Sequence, residues 1–196
     1  FHGQLGEAYG LYLLLPALTS ITVGLLYPYV HWSQQEFVVN KHRFGQASFR
    51  YHATPKQMYR VYLPVVGLFL LSYAIFFGLL VAMMSLGKSA AEMSSEAAPA
   101  LASVLPLLML PLFMIPVLYL KVRLTNLMYN NATLGEHGFR STLRTWPLVG
   151  IHLANTIMVA LSLGMLSPWA KVRVANYHAS CLTLRVAGDG LQVMAD

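Results

Sequence analysis

Few side chains in this sequence suit acid–base, nucleophilic or metal chemistry, and most stand where such chemistry is hard to perform. The seven acids, Glu7, Glu36, Glu92, Glu96, Glu136, Asp189 and Asp196, all lie in flanks or connecting segments. A proton pump or an aspartyl intramembrane protease needs carboxylates at depth, because proton transfer requires a titratable group along the dry path. Neither activity is expected. His31, His42, His52, His137 and His178 are scattered, and none forms an i, i+4 pair with the accompanying glutamate of a zinc protease. We expect ordinary interfacial histidines, no bound metal and no cofactor. Ser180-Cys181 has no partnered base in the sequence, Glu136-His137 is too little for acid–base catalysis, and no glycine-rich phosphate loop is present. No catalytic residue is assigned, and the lone Cys181 excludes an intrachain disulfide.

Two groups of polar residues are better candidates for contacts. His152 and Asn155 stand one turn apart on one helix face inside an apolar run. They would either touch a substrate or partner, or hold neighbouring helices together by an interhelical hydrogen bond; we expect the second. Lys121 and Arg123, then Lys171 and Arg173 beside Trp169, follow apolar runs directly. With Lys41, Arg43, Arg50, Arg140 and Arg144 they are candidate lipid-headgroup or interface contacts, at about 1 kcal/mol per well-placed charge. Plain positive-inside topology is the simpler account of the same residues.

The elements that position these groups belong in oil. Of 196 residues, 57% are hydrophobic and only 10% charged, against about 25% charged in soluble domains. The mean hydropathy is +0.56. The net charge of +6 comes from Lys and Arg flanking apolar runs, which argues for membrane flanks rather than nucleic-acid binding. The start at Phe1 rather than Met suggests that some residues precede it.

Four stretches lack Asp, Glu, Lys and Arg: 8–35, 61–87, 97–120 and 145–170. A hydrocarbon core of about 30 Å takes around 20 helical residues. Transmembrane helices are therefore expected at about 8–28, 61–86, 99–120 and 147–168, forming a single membrane domain over 1–196. Tyr9, Tyr12, Tyr27, Tyr29, Trp32, Trp146 and Trp169 sit where interfacial anchors belong. Pro106, Pro111 and Pro116 predict a kinked or partly opened third helix. The segment Lys88–Pro99 predicts an exposed loop.

An internal repeat follows the helices. Tyr119, Lys121, Val122, Arg123, Asn126, Thr133 and Leu134 recur 50 positions later as Trp169, Lys171, Val172, Arg173, Asn176, Thr183 and Leu184. Gly24 and Pro28-Tyr29 match Gly164 and Pro168-Trp169 at an offset of 140, and Phe44–Arg50 matches Leu134–Arg140 at 90. The proline and aromatic ring would mark where each helix leaves the hydrocarbon, followed by a short amphipathic stub. Segments 43–51, 133–141 and 181–186 alternate like strands, with turns at Gly45, Gly135 and Ala187–Gly190. The expected fold is thus an all-α integral membrane protein: a bundle of about four transmembrane helices with amphipathic stubs, small β-hairpins at the membrane surface and internal repeats.

Phe1-His-Gly3, Gly6-Glu7 and the string Leu-Ser-Pro-Trp-Ala-Lys-Val-Arg at 166–173, taken with this repeat, resemble the YjgN-like family of bacterial inner-membrane proteins. The resemblance implies a multi-pass location in the bacterial inner (cytoplasmic) membrane and brings no catalytic residues with it. The first repeat departs from the pattern, with His31 and Ser33 in place of the Lys and Arg.

With four crossings, segments 29–60 and 121–146 would share a cytoplasmic side carrying nine Lys and Arg. Both termini and 87–99 would lie outside with four. The third repeat would then face away from its two near-copies: either the repeats have inverted topology or one apolar stretch, the third or the fourth, is re-entrant, and we expect four true crossings. The expected function is a non-enzymatic membrane subunit or scaffold, with membrane lipids, another membrane protein or a second copy as partners. The alternative is a permease or a lipid- or small-molecule-binding protein, with an intramembrane hydrolase third.

Overall fold

The computed structural model of the chain describes residues 5–90 and 97–186. Two of the expected helices are present and longer than composition alone suggested. Helix α4 runs over Pro55–Ala90 and α5 over Ala97–Asn130, about 54 and 51 Å at 1.5 Å per residue. Within them, Pro55–Ala82 and Met109–Asn130 are long and apolar enough to cross a membrane. Leu70, Leu71, Phe77 and Val81 of α4 point outward, which suits a lipid solvent rather than water. Of the two outcomes that its prolines predicted, a kink or a partial opening, the third helix does not show the opening: α5 is helical throughout, across Pro106, Pro111 and Pro116. The loop expected at Lys88–Pro99 is shorter too, because helix occupies 88–90 and 97–99.

The other two expected crossings are not single helices. The first apolar stretch forms a continuous arm of α1 (Leu5–Tyr9), a π-helical segment (Gly10–Leu14) and α2 (Leu15–Ile21), then reverses into α3 (Tyr27–Asn40). Gln34 Nε2 donates to the Leu11 carbonyl at 3.1 Å, and Lys41 pairs with Glu7 at 2.9 Å, so the arms are antiparallel. Likewise α6 (Thr145–Leu161) reverses into α7 (Ser167–Ser180), and Asn155 Nδ2 donates to the Ala170 carbonyl at 3.1 Å. The helices expected at 8–28 and 147–168 are each broken by a five-residue turn.

The turns share one construction. Val23 and Gly24 have φ of 51° and 83°, and Leu163 and Gly164 have 51° and 93°. Two consecutive left-handed residues turn the chain back, a conformation costly for every residue but glycine. Gly24 N donates to Thr19 O at 2.9 Å and Gly164 N to Val159 O at 2.8 Å. The hydroxyls of Thr22 and Ser162 accept from the amides of Leu26 and Leu166 at 3.3 and 3.1 Å. Pro28 and Pro168, expected where helices leave the membrane, instead open the returning helices. There the missing N–H is no loss and the ring pre-sets φ.

The ends of all three helical hairpins meet a small sheet. Strands β1 (Arg43–Phe44), β2 (Ala47–Tyr51), β3 (Ala132–Leu134), β4 (His137–Ser141) and β5 (Leu182–Arg185) pair antiparallel in that order. Gly45 and Gly135, at φ of 57° and 58°, make the tight turns. Strand β2 pairs with β3 at Arg50↔Thr133, and β4 with β5 at Arg140↔Thr183. This pairing corrects the expected orientation, because Arg185 lies beside Gly138 rather than at the opposite end of the molecule. Apart from Lys88, and from Lys171 and Arg173 in the first half of α7, every Lys and Arg lies in or beside the sheet or on the part of its helix nearer to it. The turn expected at Ala187–Gly190 lies outside the described residues.

A helix-to-strand latch fixes two of these junctions. Asn40 Oδ1 accepts from the Tyr51 amide at 2.8 Å, and Asn130 Oδ1 accepts from the Ser141 amide at 2.7 Å. Leu118, Val122, Leu143, Leu148 and Val149 form a buried core between α5 and α6, with Val174 and Tyr177 of α7 packed against it.

Candidate functional site

Beside that core, α5, α6 and α7 enclose a groove of about 1020 Å³. Helical periodicity places its polar residues. On α5, Lys121 and Thr125 are one turn apart; on α6, His152, Asn155 and Thr156 share a face; on α7, Lys171, Ala175 and His178 do so. Thus two residues expected as headgroup contacts, Lys121 and Lys171, line the same groove as the expected intramembrane pair His152 and Asn155. The reversal of the chain at 162–166 brings them together.

The groove holds polar atoms that the fold leaves unpaired. Asn155 is 6% exposed. Its amide nitrogen donates to the Ala170 carbonyl of α7, but its Oδ1 has no hydrogen-bond partner. The Nε2 atoms of His152 and His178 are likewise buried and unpartnered. An unsatisfied buried polar atom costs about 1–3 kcal/mol, so three in one groove call for an explanation. Burial lowers the pKa of His152, with Lys121 and His178 adding to the effect; burial and then Lys121 lower that of His178. Both imidazoles therefore favour the neutral form. No Asp or Glu is found among the described residues lining the groove. His178 was grouped in the sequence with ordinary interfacial histidines, and only its distance of 26 positions from His152, bridged by a turn, hid the pairing.

Among its described residues the first hairpin carries no such unpaired set. His31, at the position equivalent to Lys121 at an offset of 90, has Nδ1 2.6 Å from Tyr62 Oη and Nε2 2.9 Å from Gln35 Nε2. Tyr51 Oη donates to Gln35 Oε1 at 3.1 Å. The amide of Gln35 must donate to Nε2, so Nδ1 carries the proton and donates to Tyr62. Desolvation lowers the His31 pKa, in keeping with this neutral ring.

Arg123, Arg173 and Trp169 do not line the groove. Arg123 stacks over Tyr119 at 5.1 Å and Arg173 over Trp169 at 5.4 Å, each one turn along its own helix. Such cation–π contacts keep the guanidinium at the helix surface. Arg50 and Arg140 are exposed on adjoining parts of the sheet.

These features define a class: a helical-hairpin protein with two helices suited to a membrane, a small antiparallel sheet and a cationic groove. The chain belongs to DUF898, a family of bacterial proteins of unknown function that covers residues 1–196. No curated protein and no solved structure matches it.

Proposed function

We propose that this is a non-enzymatic scaffold or subunit of the bacterial inner membrane, crossing it twice through α4 and α5. In this reading both shorter hairpins enter the cytoplasmic leaflet from the side of the sheet and return. The observation that carries it is the pair of apolar turns. Ile21, Val23 and Leu25, and Leu161, Leu163 and Met165, are between 77% and 95% exposed, at the ends of arms about 21–25 Å long. Leucine, valine and methionine in those positions are out of place in water and suited to the headgroup–acyl boundary. The basic residues gathered at the sheet support a cytoplasmic location for it. YjgN-like character fits membership of the bacterial family.

Single cysteines in a Cys181→Ser background test the topology. A membrane-impermeant thiol reagent on intact cells should label Ser94→Cys, in the link between α4 and α5. It should reach Ala47→Cys and Thr183→Cys only in inverted vesicles, and Leu163→Cys in neither. Labelling of Thr183→Cys and Ala47→Cys from opposite sides would restore four crossings. Native purification tests the role: a stoichiometric protein partner supports the scaffold, and a co-purified solute supports a permease.

A further inference from the structure

We infer that the groove between α5, α6 and α7 binds an anionic phospholipid, its phosphate between Lys121 and Lys171 and a headgroup hydroxyl on Asn155. Three observations support that occupant. First, two ammonium groups from different helices line one groove with no carboxylate among its described lining residues, so the site selects an anion. Second, the unpaired Asn155 Oδ1 is an acceptor and needs a donor. Inorganic phosphate carries its hydroxyls on the charged centre itself, whereas a glycerol headgroup brings hydroxyls that lie apart from the phosphate held by the lysines. The unpaired His152 and His178 Nε2 atoms accept from a hydroxyl or donate to phosphate, according to tautomer.

Third, the groove is amphiphilic and open at the right height. Val159, Ala160 and Val174 line it along with the polar groups, giving acyl chains an apolar wall. Lys121 directly follows the charge-free run that ends at Leu120, so it stands at the depth where lipid phosphates lie. The first hairpin acts as an internal control: there Tyr62 and Gln35 saturate the His31 ring, and no comparable set of unpaired atoms is present among the described residues. The inference rests on the membrane reading only in that the bilayer supplies the ligand.

Native mass spectrometry of the full chain in neutral detergent, with phosphatidylglycerol and phosphatidylcholine added in equal amounts, provides the test. The protein should retain phosphatidylglycerol about tenfold better or more. Lys121→Gln with Lys171→Gln should cut that retention about 10- to 30-fold, and Lys121→Arg with Lys171→Arg should keep most of it. Lys56→Gln with Arg185→Gln, at and beside the sheet and outside the groove, should leave it unchanged. Thermal unfolding of each variant establishes that it is folded. Equal retention of the two lipids, undiminished retention in the double glutamine variant, or an equal loss in the sheet variant would overturn the inference. So would inorganic phosphate protecting against unfolding as well as phosphatidylglycerol does. None of these readouts depends on the cysteine map, so the two ideas can fail separately.

Discussion

Ser72 Oγ lies 3.0 Å from the carbonyl oxygen of Leu112, the acceptor that Pro116 cannot serve because it has no amide hydrogen. Pro116 stands four positions after Leu112, so this carbonyl would otherwise be orphaned within α5. Ser72 is 4% exposed, and its hydroxyl also lies 2.9 Å from its own helix's Leu68 carbonyl. A neighbouring helix thus repairs the defect, and α5 remains unbroken where the sequence predicted an opening. Ser72→Ala should destabilise the α4–α5 pair by about 0.6–2 kcal/mol. In a Pro116→Ala background, which restores the amide, the same change should cost less. Denaturant titration in mixed micelles measures this double-mutant cycle; simple additivity would show that the Ser72 bond does not compensate for the missing amide of Pro116.

The two turns should respond oppositely to glycine placed at, or removed from, their left-handed residues. A Cβ added at Gly24 or Gly164 meets nothing within 4 Å, so alanine there would cost backbone strain alone, about 1–2 kcal/mol. Leu163→Gly should remove similar strain. Leu163 is 95% exposed in the protein, so its side chain has little packing to lose. Unfolding in one detergent should therefore move in opposite directions for Leu163→Gly and Gly164→Ala, and a loss of stability in Leu163→Gly would refute the strain.

Tyr62→Phe should strand the Nδ1 proton of His31, at a cost of about 1–3 kcal/mol. Tyr59→Phe provides the comparison, since Tyr59 is exposed and bonds only to the Leu25 carbonyl at 3.1 Å. Its loss should cost less than Tyr62→Phe in the same unfolding assay. An equal cost would remove the case for the His31 network.

Acid should loosen the hairpins. Burial lowers the folded-state pKa of His31, His152 and His178 below the usual 6.5, and nearby Lys121 lowers the latter two further. The unfolded chain then binds more protons, so stability rises with pH across this range. It should be complete above about pH 6.5 and fall as the pH drops through the lowered folded values. Around His152 and His178 the facing charges are Lys121 of α5 and Lys171 of α7, both cationic, so no carboxylate in the groove offsets the trend. Thermal unfolding between pH 8 and pH 5 checks this, and His152→Gln with His178→Gln should flatten the profile.

Removing either latch asparagine should free a helix end from its strand. Asn130→Ala would leave the Ser141 amide without its acceptor and should cost about 1–3 kcal/mol, as should Asn40→Ala at Tyr51. Hydrogen exchange at Ser141 and Tyr51 would report each loss locally, and unchanged protection at both would refute the latch.

Composition and the charge-free runs were enough to identify apolar helices over 61–86 and 99–120, because an uncharged run of that length has few ways other than helix to satisfy its backbone in oil. Period-two alternation around Gly45 and Gly135 also located the small strands, since a left-handed glycine between alternating residues has few alternatives to a hairpin. Hydropathy could not say whether the runs at 8–28 and 147–168 continue across or turn back. Both outcomes bury the same side chains in the same solvent, and the difference lies in five residues around Gly24 and Gly164. That turn decides the rest: it brings Lys171 and His178 to His152 and Lys121, and it sets Arg185 beside β4. Residues far apart in number became one site only when the chain reversed, and reversal depends on backbone dihedral angles to which side-chain hydrophobicity is blind.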